Sequence, residues 1–122
     1  MHELGVTKSI AEIVLKYAED AGAARVSKVN LIVGDMRNLE EVWVTRYFRR
    51  IAKGTVAEDA EVHITYVPIA FFCRDCGATF TLDVHKDERM SCPECGSGAF
   101  SLVTGKELTI ASIEVRPLAH LD

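Results

Sequence analysis

Two cysteine pairs, Cys73-Arg-Asp-Cys76 and Cys92-Pro-Glu-Cys95, are separated by 15 residues. Two residues between cysteines let one tight turn aim both sulfurs at a common point, and two such turns complete a tetrahedral four-thiolate set suited to zinc. Gly77 and Gly96 each directly follow the second cysteine of a pair, where such a knuckle favours positive φ. A pair of redox C-x-x-C motifs would want strand-to-helix settings that these glycine-bracketed turns do not provide. Catalytic zinc keeps an open coordination position, and four thiolates fill every position, so the expected ion is structural.

A second candidate is the chain start, Met1-His2-Glu3. Met1 is expected to persist, because the residue behind it is large. A free α-amine, the backbone nitrogens of His2 and Glu3, and the His2 imidazole would form fused chelate rings. Nitrogen-rich square-planar donors of that kind suit Ni(II) or Cu(II). The plainer reading is a solvated terminus, and chemistry alone favours it, since a histidine near a chain start is common.

The elements that must position these groups follow from periodicity. Val6, Ile10, Ile13, Val14, Tyr17 and Ala21 recur at helical spacing, predicting a helix over 6–21 that stops at Gly22. Alternation predicts a strand over 25–33 that places Val29, Leu31 and Val33 on one face. Asn38 and Glu41 read as a capping box opening a second helix, with Val44, Tyr47, Phe48 and Ile51 on its buried face. A strand over 60–67 follows, ending at Pro68. A last strand spans 107–115, where the alternation slips near Ala111-Ser112 as at a bulge. That strand finds sheet partners only in the N-terminal half, so the cysteine module is an insertion in an α+β domain. Residues 1–68 and 103–122 form one domain and 69–102 the other. The insertion also contains an alternating strand over 79–84, which makes it a zinc ribbon. Its apolar residues Phe71, Phe72, Phe80, Met90 and Phe100 are too few for a self-sufficient core, and zinc is expected to supply the missing stability.

Bulk properties narrow the partners. Over 122 residues, 48% are hydrophobic and 26% charged, which describes a globular chain. A net charge of −4 with both signs interspersed gives no general attraction to nucleic acid. No stretch reads as a secretory signal or a membrane span, so a cytoplasmic protein with no membrane partner is expected.

The Met1-His2-Glu3-Leu4 start, the four-cysteine ribbon, the connection over 54–60, and the closing Gly105-Lys106-Glu107-Leu108 and Ile113-Glu114-Val115 together resemble the HypA/HybF family of hydrogenase nickel-incorporation proteins, in order over essentially the whole chain. The resemblance implies two helices on a three-stranded sheet with the ribbon projecting from it. It implies nickel on Met1, His2 and Glu3, and zinc on Cys73, Cys76, Cys92 and Cys95. It further implies a non-enzymatic nickel metallochaperone working with the GTPase HypB to supply the [NiFe]-hydrogenase large subunit precursor, and in some organisms urease maturation proteins. At one loop the chain departs from the family, placing Asp35-Met36-Arg37-Asn38 where small residues are expected.

The remaining candidates have plainer readings. His85 could be an additional metal ligand, as the resemblance suggests for a ribbon histidine, but it sits beside the charge run over 86–89 and reads more readily as surface. His63 falls on the polar face of a strand, and His120 in the tail. Asp35 and Glu40 read as loop and cap residues. Trp43 and Tyr47, one turn apart, are expected in the core, with an exposed docking pair as the alternative. Hinges near Pro68 and Thr104 leave monomer and strand-swapped homodimer both open. The competing function is a zinc-ribbon module that binds nucleic acid or protein. Against nucleic acid, Arg74 alternates with Asp75, and Lys86 and Arg89 with Asp87 and Glu88.

Overall fold

The computed structural model describes residues 2–81 and 90–117, with His2 described in its backbone only. The chain runs α1 (His2–Asp20), β1 (Ala23–Gly34), a short 3-10 turn (Asp35–Arg37), α2 (Glu41–Ile51), β2 (Glu61–Val67), β3 (Ala70–Cys73), β4 (Thr79–Thr81), β5 (Phe100–Thr104) and β6 (Leu108–Pro117). Two three-stranded sheets result, ordered β2-β1-β6 and β4-β3-β5. The last strand therefore pairs with the first, and the cysteine-bearing sheet interrupts the other in sequence. This is the expected α+β architecture of two helices, a three-stranded sheet and an inserted four-cysteine module. The described residues cluster into two compact units, those within 1–32, 39–65 and 109–122 in the first, and those within 33–38 and 66–108 in the second.

In the first unit, α1 packs along α2. The buried stripe of α1 is Thr7, Ile10, Ala11, Val14 and Ala18, whereas Ile13 and Tyr17 are 46% and 61% exposed. The stripe is thus rotated from the expected one. Small Ala11 and Ala18 allow a neighbouring helix to approach closely, and the bulkier pair is left outside. Thr7 tolerates burial because its hydroxyl donates to the Glu3 carbonyl. The helix stops as expected, with the Gly22 N–H bonded to the Glu19 carbonyl and Gly22 at φ 65.

The capping box does not form. Asn38 adopts a left-handed conformation at φ 54 and closes the 3-10 turn, while Glu40 is the N-cap of α2 and makes no side-chain capping bond. The Glu41 carboxylate instead accepts the Ile64 N–H of β2 at 2.9 Å. A tertiary acceptor role has replaced the local one. Val44 and Phe48 are buried as expected. Together with Val26, Val29, Leu31, Val62 and Ile64 they fill the core of this unit. Ser27 Oγ donates to the Glu114 carbonyl and Asn30 Nδ2 to Ser112 Oγ, fixing β6 beside β1. Along β6 the partly buried positions are Leu108, Ile110 and Ile113, the phase slip that the sequence shows at residues 111–112.

In the second unit, β3 pairs antiparallel with β4 and β5, Phe71 standing opposite Phe80 and Leu102. Phe71, Phe80 and Phe100 form an aromatic triad with centroids 5.0 to 5.8 Å apart. Ile69, Cys73 and Cys92 complete the small core. Phe72 and Met90 lie outside it, 41% and 49% exposed. The β1 end and the β5–β6 turn meet here backbone to backbone. The Gly34 N–H donates to the Glu107 carbonyl at 2.8 Å, the Met36 N–H to the Gly105 carbonyl at 2.9 Å, and Arg37 Nε to the Lys106 carbonyl at 2.7 Å.

Candidate metal centre

Each cysteine pair sits in the same turn. The Gly77 N–H donates to the Cys73 carbonyl at 2.9 Å and the Gly96 N–H to the Cys92 carbonyl at 2.7 Å. The Cys73 and Cys92 N–H groups donate onward to the carbonyls of Ala78 and Ser97, at 2.8 and 2.9 Å. Gly77 and Gly96 hold φ 77 and 76, a conformation that a side chain would strain. In both turns the first cysteine is buried and the second exposed. The two turns are tied together by the Arg74 N–H to the Ala99 carbonyl at 2.9 Å, and by Ser97, whose hydroxyl donates to the Asp75 carboxylate.

The result is four convergent sulfurs. Cys73 Sγ lies 3.6 Å from Cys95 Sγ, Cys76 Sγ lies 3.6 Å from Cys92 Sγ, and all four fall within 4.8 Å of one another. A tetrahedral ion with metal–sulfur bonds of about 2.3 Å needs sulfurs roughly 3.8 Å apart, so the cluster has the right size. The separations are far beyond a disulfide bond of about 2.05 Å, and all four cysteines are free thiols. Among the described residues this is the one cluster of potential ligands that could hold a metal ion.

The thiols titrate unequally. For Cys73, the Cys76 backbone N–H is the leading influence and outweighs burial, lowering its pKa to about 7. Cys95 receives the Ser97 backbone N–H, but the Cys73 thiol beside it and burial prevail, and it is pushed up to about 12. Cys76 is likewise raised, against the Ala78 backbone N–H, by burial and by the thiols of Cys92 and Cys73. Without a cation the four cannot all carry charge at this spacing.

The other candidates are distributed as follows. Met1 lies outside the described residues, as do His85, within 82–89, and His120. His2 begins α1, and Glu3 is half-buried in its first turn. His63 is exposed on β2, as expected. Asp35 opens the 3-10 turn and Glu40 precedes α2. Trp43 is not a core residue: it is 41% exposed and stacks on Tyr47 at 6.0 Å, with the Arg46 guanidinium 5.2 Å from its ring centroid. The apolar spacing of α2 did not single out Arg46; its position one turn from Trp43 is the available signal. No helix among the described residues is long and apolar enough to cross a membrane.

Comparison with known proteins gives one consistent result. The family model described as hydrogenase/urease nickel incorporation, metallochaperone, HypA matches residues 1–115. The chain is 34% identical over 115 residues to the hydrogenase maturation factor HypA of Dehalococcoides mccartyi strain CBDB1, covering 94% of each protein. It is 32% identical to the factor of the same name from Pyrococcus furiosus, covering 94% of this chain and 96% of that one. Two solution structures share the fold. One is of the nickel metallochaperone HypA from Helicobacter pylori, with TM-score 0.63 at 20% identity, covering 95% of this chain and 98% of that one. The other is of a HypA protein, with TM-score 0.68 at 22% identity, covering 94% and 96%.

Proposed function

Because this chain belongs to the HypA family of nickel-incorporation metallochaperones, we propose that it carries Ni(II) on its amino-terminal Met1, His2 and Glu3 while a structural zinc sits among Cys73, Cys76, Cys92 and Cys95. The family match over residues 1–115 carries the reading, since it takes in both ends of that division of labour. The sulfur cluster supports the zinc half: its spacing fits a tetrahedral ion, and four thiolates leave no position open for a hydrolytic water. When bound, zinc supplies charge compensation and cross-linking to a unit whose own core is a handful of residues.

For nickel, the supporting observation is that α1 begins at His2. The N–H groups of a helix's first turn have no carbonyl acceptor within the helix, so amide nitrogens at such a start can lose their protons to a metal without breaking helical bonds. Ni(II) suits that nitrogen-rich set, and zinc suits the sulfurs. Residues at a chain end can exchange ligands one at a time, which favours handing the ion on. The protein would act as a carrier rather than an enzyme, in the cytoplasm. A HypB-type GTPase would serve as partner and the [NiFe]-hydrogenase large subunit precursor as recipient, with urease maturation proteins as a further destination.

Calorimetry with Ni(II) on the zinc-loaded protein tests this. His2→Ala, or one residue added before Met1, should weaken nickel binding by at least about 100-fold, since each removes a donor from the chelate. Zinc content should stay at its parental value. Unchanged nickel affinity in both variants, or nickel found on the thiolates by spectroscopy, would overturn the assignment.

A further inference from the structure

The outer face of α2 has a composition that neither metal explains. At 100° per residue, positions 42, 43, 46, 49 and 50 fall within an arc of about 120°. They are Val42, Trp43, Arg46, Arg49 and Arg50, all exposed, and the exposed Lys53 follows in the next turn. No acidic residue lies on that arc. Arg49, Arg50 and Lys53 have no ion pair among the described residues, whereas Arg25 and Lys28 of the same unit are paired with Asp59 and Glu114. Trp43 and Val42 present apolar surface at 41% and 50% exposure. Trp43 is held in place from two sides, by stacking on Tyr47 and by Arg46.

We infer that this face docks an acidic protein segment carrying an apolar anchor, the anchor seating on Trp43 and Val42 while carboxylates meet the arginines. Three features of the chain lead to this occupant. Tryptophan and arginine side by side, already ordered by cation–π stacking, lose little freedom on binding and are the residue types that carry interface energy. Guanidinium groups match carboxylates in a planar, two-bonded geometry. The whole chain is acidic, at −4, so an extended polyanion such as a membrane surface or a polynucleotide would lie across acidic surface as well as this face, whereas charges more than a Debye length of roughly 8–10 Å from a bound segment are screened from it. A short acidic segment stays inside that distance and meets chiefly the positive face, with Glu41 and Glu61 beside Arg49 at its edge.

Trp43 is the chain's one tryptophan, so intrinsic fluorescence reports this face directly. The zinc-loaded full chain is titrated with a short blocked peptide of repeating Glu-Glu-Leu, with the matching Lys-Lys-Leu peptide, with vesicles containing phosphatidylglycerol, and with a single-stranded oligonucleotide. The acidic peptide should shift Trp43 emission and bind, losing at least about 5-fold in affinity when salt rises from about 50 to about 300 mM. The basic peptide should not bind. Arg46→Glu combined with Arg50→Glu should weaken the acidic peptide by at least about 10-fold, with helical circular dichroism and zinc content unchanged. Arg46→Lys combined with Arg50→Lys should bind more tightly than the charge-reversed variant yet about 3-fold or more below the parent, because the positive charge stays while the two-bonded geometry and the stacking on Trp43 are lost. No response to the acidic peptide, equal binding by the charge-reversed variant, or tighter binding of vesicles or oligonucleotide would each sink the inference.

Discussion

Cys73 and Cys95 face each other at 3.6 Å with pKa values near 7 and 12, so one is half ionised at neutral pH while the other keeps its proton. Cys76 is raised as well. An incoming cation must therefore expel protons from at least Cys76 and Cys95. The sign follows directly: acid stabilises the thiol forms and competes with metal, so zinc affinity rises with pH. Two protons leaving means a gain of at least about 100-fold per pH unit between pH 6 and 8, steeper below 7 where Cys73 also binds a proton. Competition against a chromophoric chelator across that range checks it, and a flat profile would contradict the thiol assignment. The convergence of the four cysteines was legible at this scale, because C-x2-C spacing dictates a turn. The inequality among the four was not, since it comes from which amide and which sulfur each thiol meets.

Among the elements, the second unit depends on how closely its strands approach. A Cβ on Gly34 would stand 2.0 Å from both the carbonyl carbon and oxygen of Gly105, and backbone cannot swing aside as a side chain does. Gly34→Ala should therefore cost about 2–3 kcal/mol, the upper range of overpacking, in urea unfolding monitored on the zinc-loaded protein. Gly98→Ala is the control, because nothing lies within 4 Å of its added carbon, and it should be within about 0.5 kcal/mol of the parent. The same crowding gives a role to the Asp35–Arg37 turn. Met36 and Arg37 bond the carbonyls of Gly105 and Lys106, so the turn's backbone and its arginine serve as a clasp for this unit. The rotated stripe of α1 belongs here too. Periodicity found the helix but ranked residues by apolar bulk, and close helix packing ranked them by size.

At the level of the whole chain, the two units differ in what holds them. The first has a core drawn from both helices and a sheet, while the buried core of the second is Ile69, Phe71, Phe80 and two of the metal-cluster cysteines. Stripping zinc with a strong chelator should abolish the near-ultraviolet signal of the Phe71–Phe80–Phe100 triad. Most of the helical signal at 222 nm should remain, because α1 and α2 belong to the first unit. Parallel loss of both signals would show that the units fold as one. The size of the effect follows from the zinc contribution in small metal-dependent folds, on the order of 10–16 kcal/mol, which exceeds what so small a core provides.

What the sequence determined by itself was everything that rests on spacing along the chain. The knuckle turns, the two helices with the Gly22 stop and the phase slip in the last strand follow from covalent geometry and local hydrogen bonding. The order of residues expresses these directly. Tertiary structure alone decided the contacts between segments distant in sequence. It drew Glu41 from a helix cap to the Ile64 amide, turned Ile13 and Tyr17 outward, and pressed Gly34 against Gly105. It also left Trp43 on the surface under Arg46. These outcomes depend on which surfaces meet and how closely, and a one-dimensional pattern carries no measure of that distance.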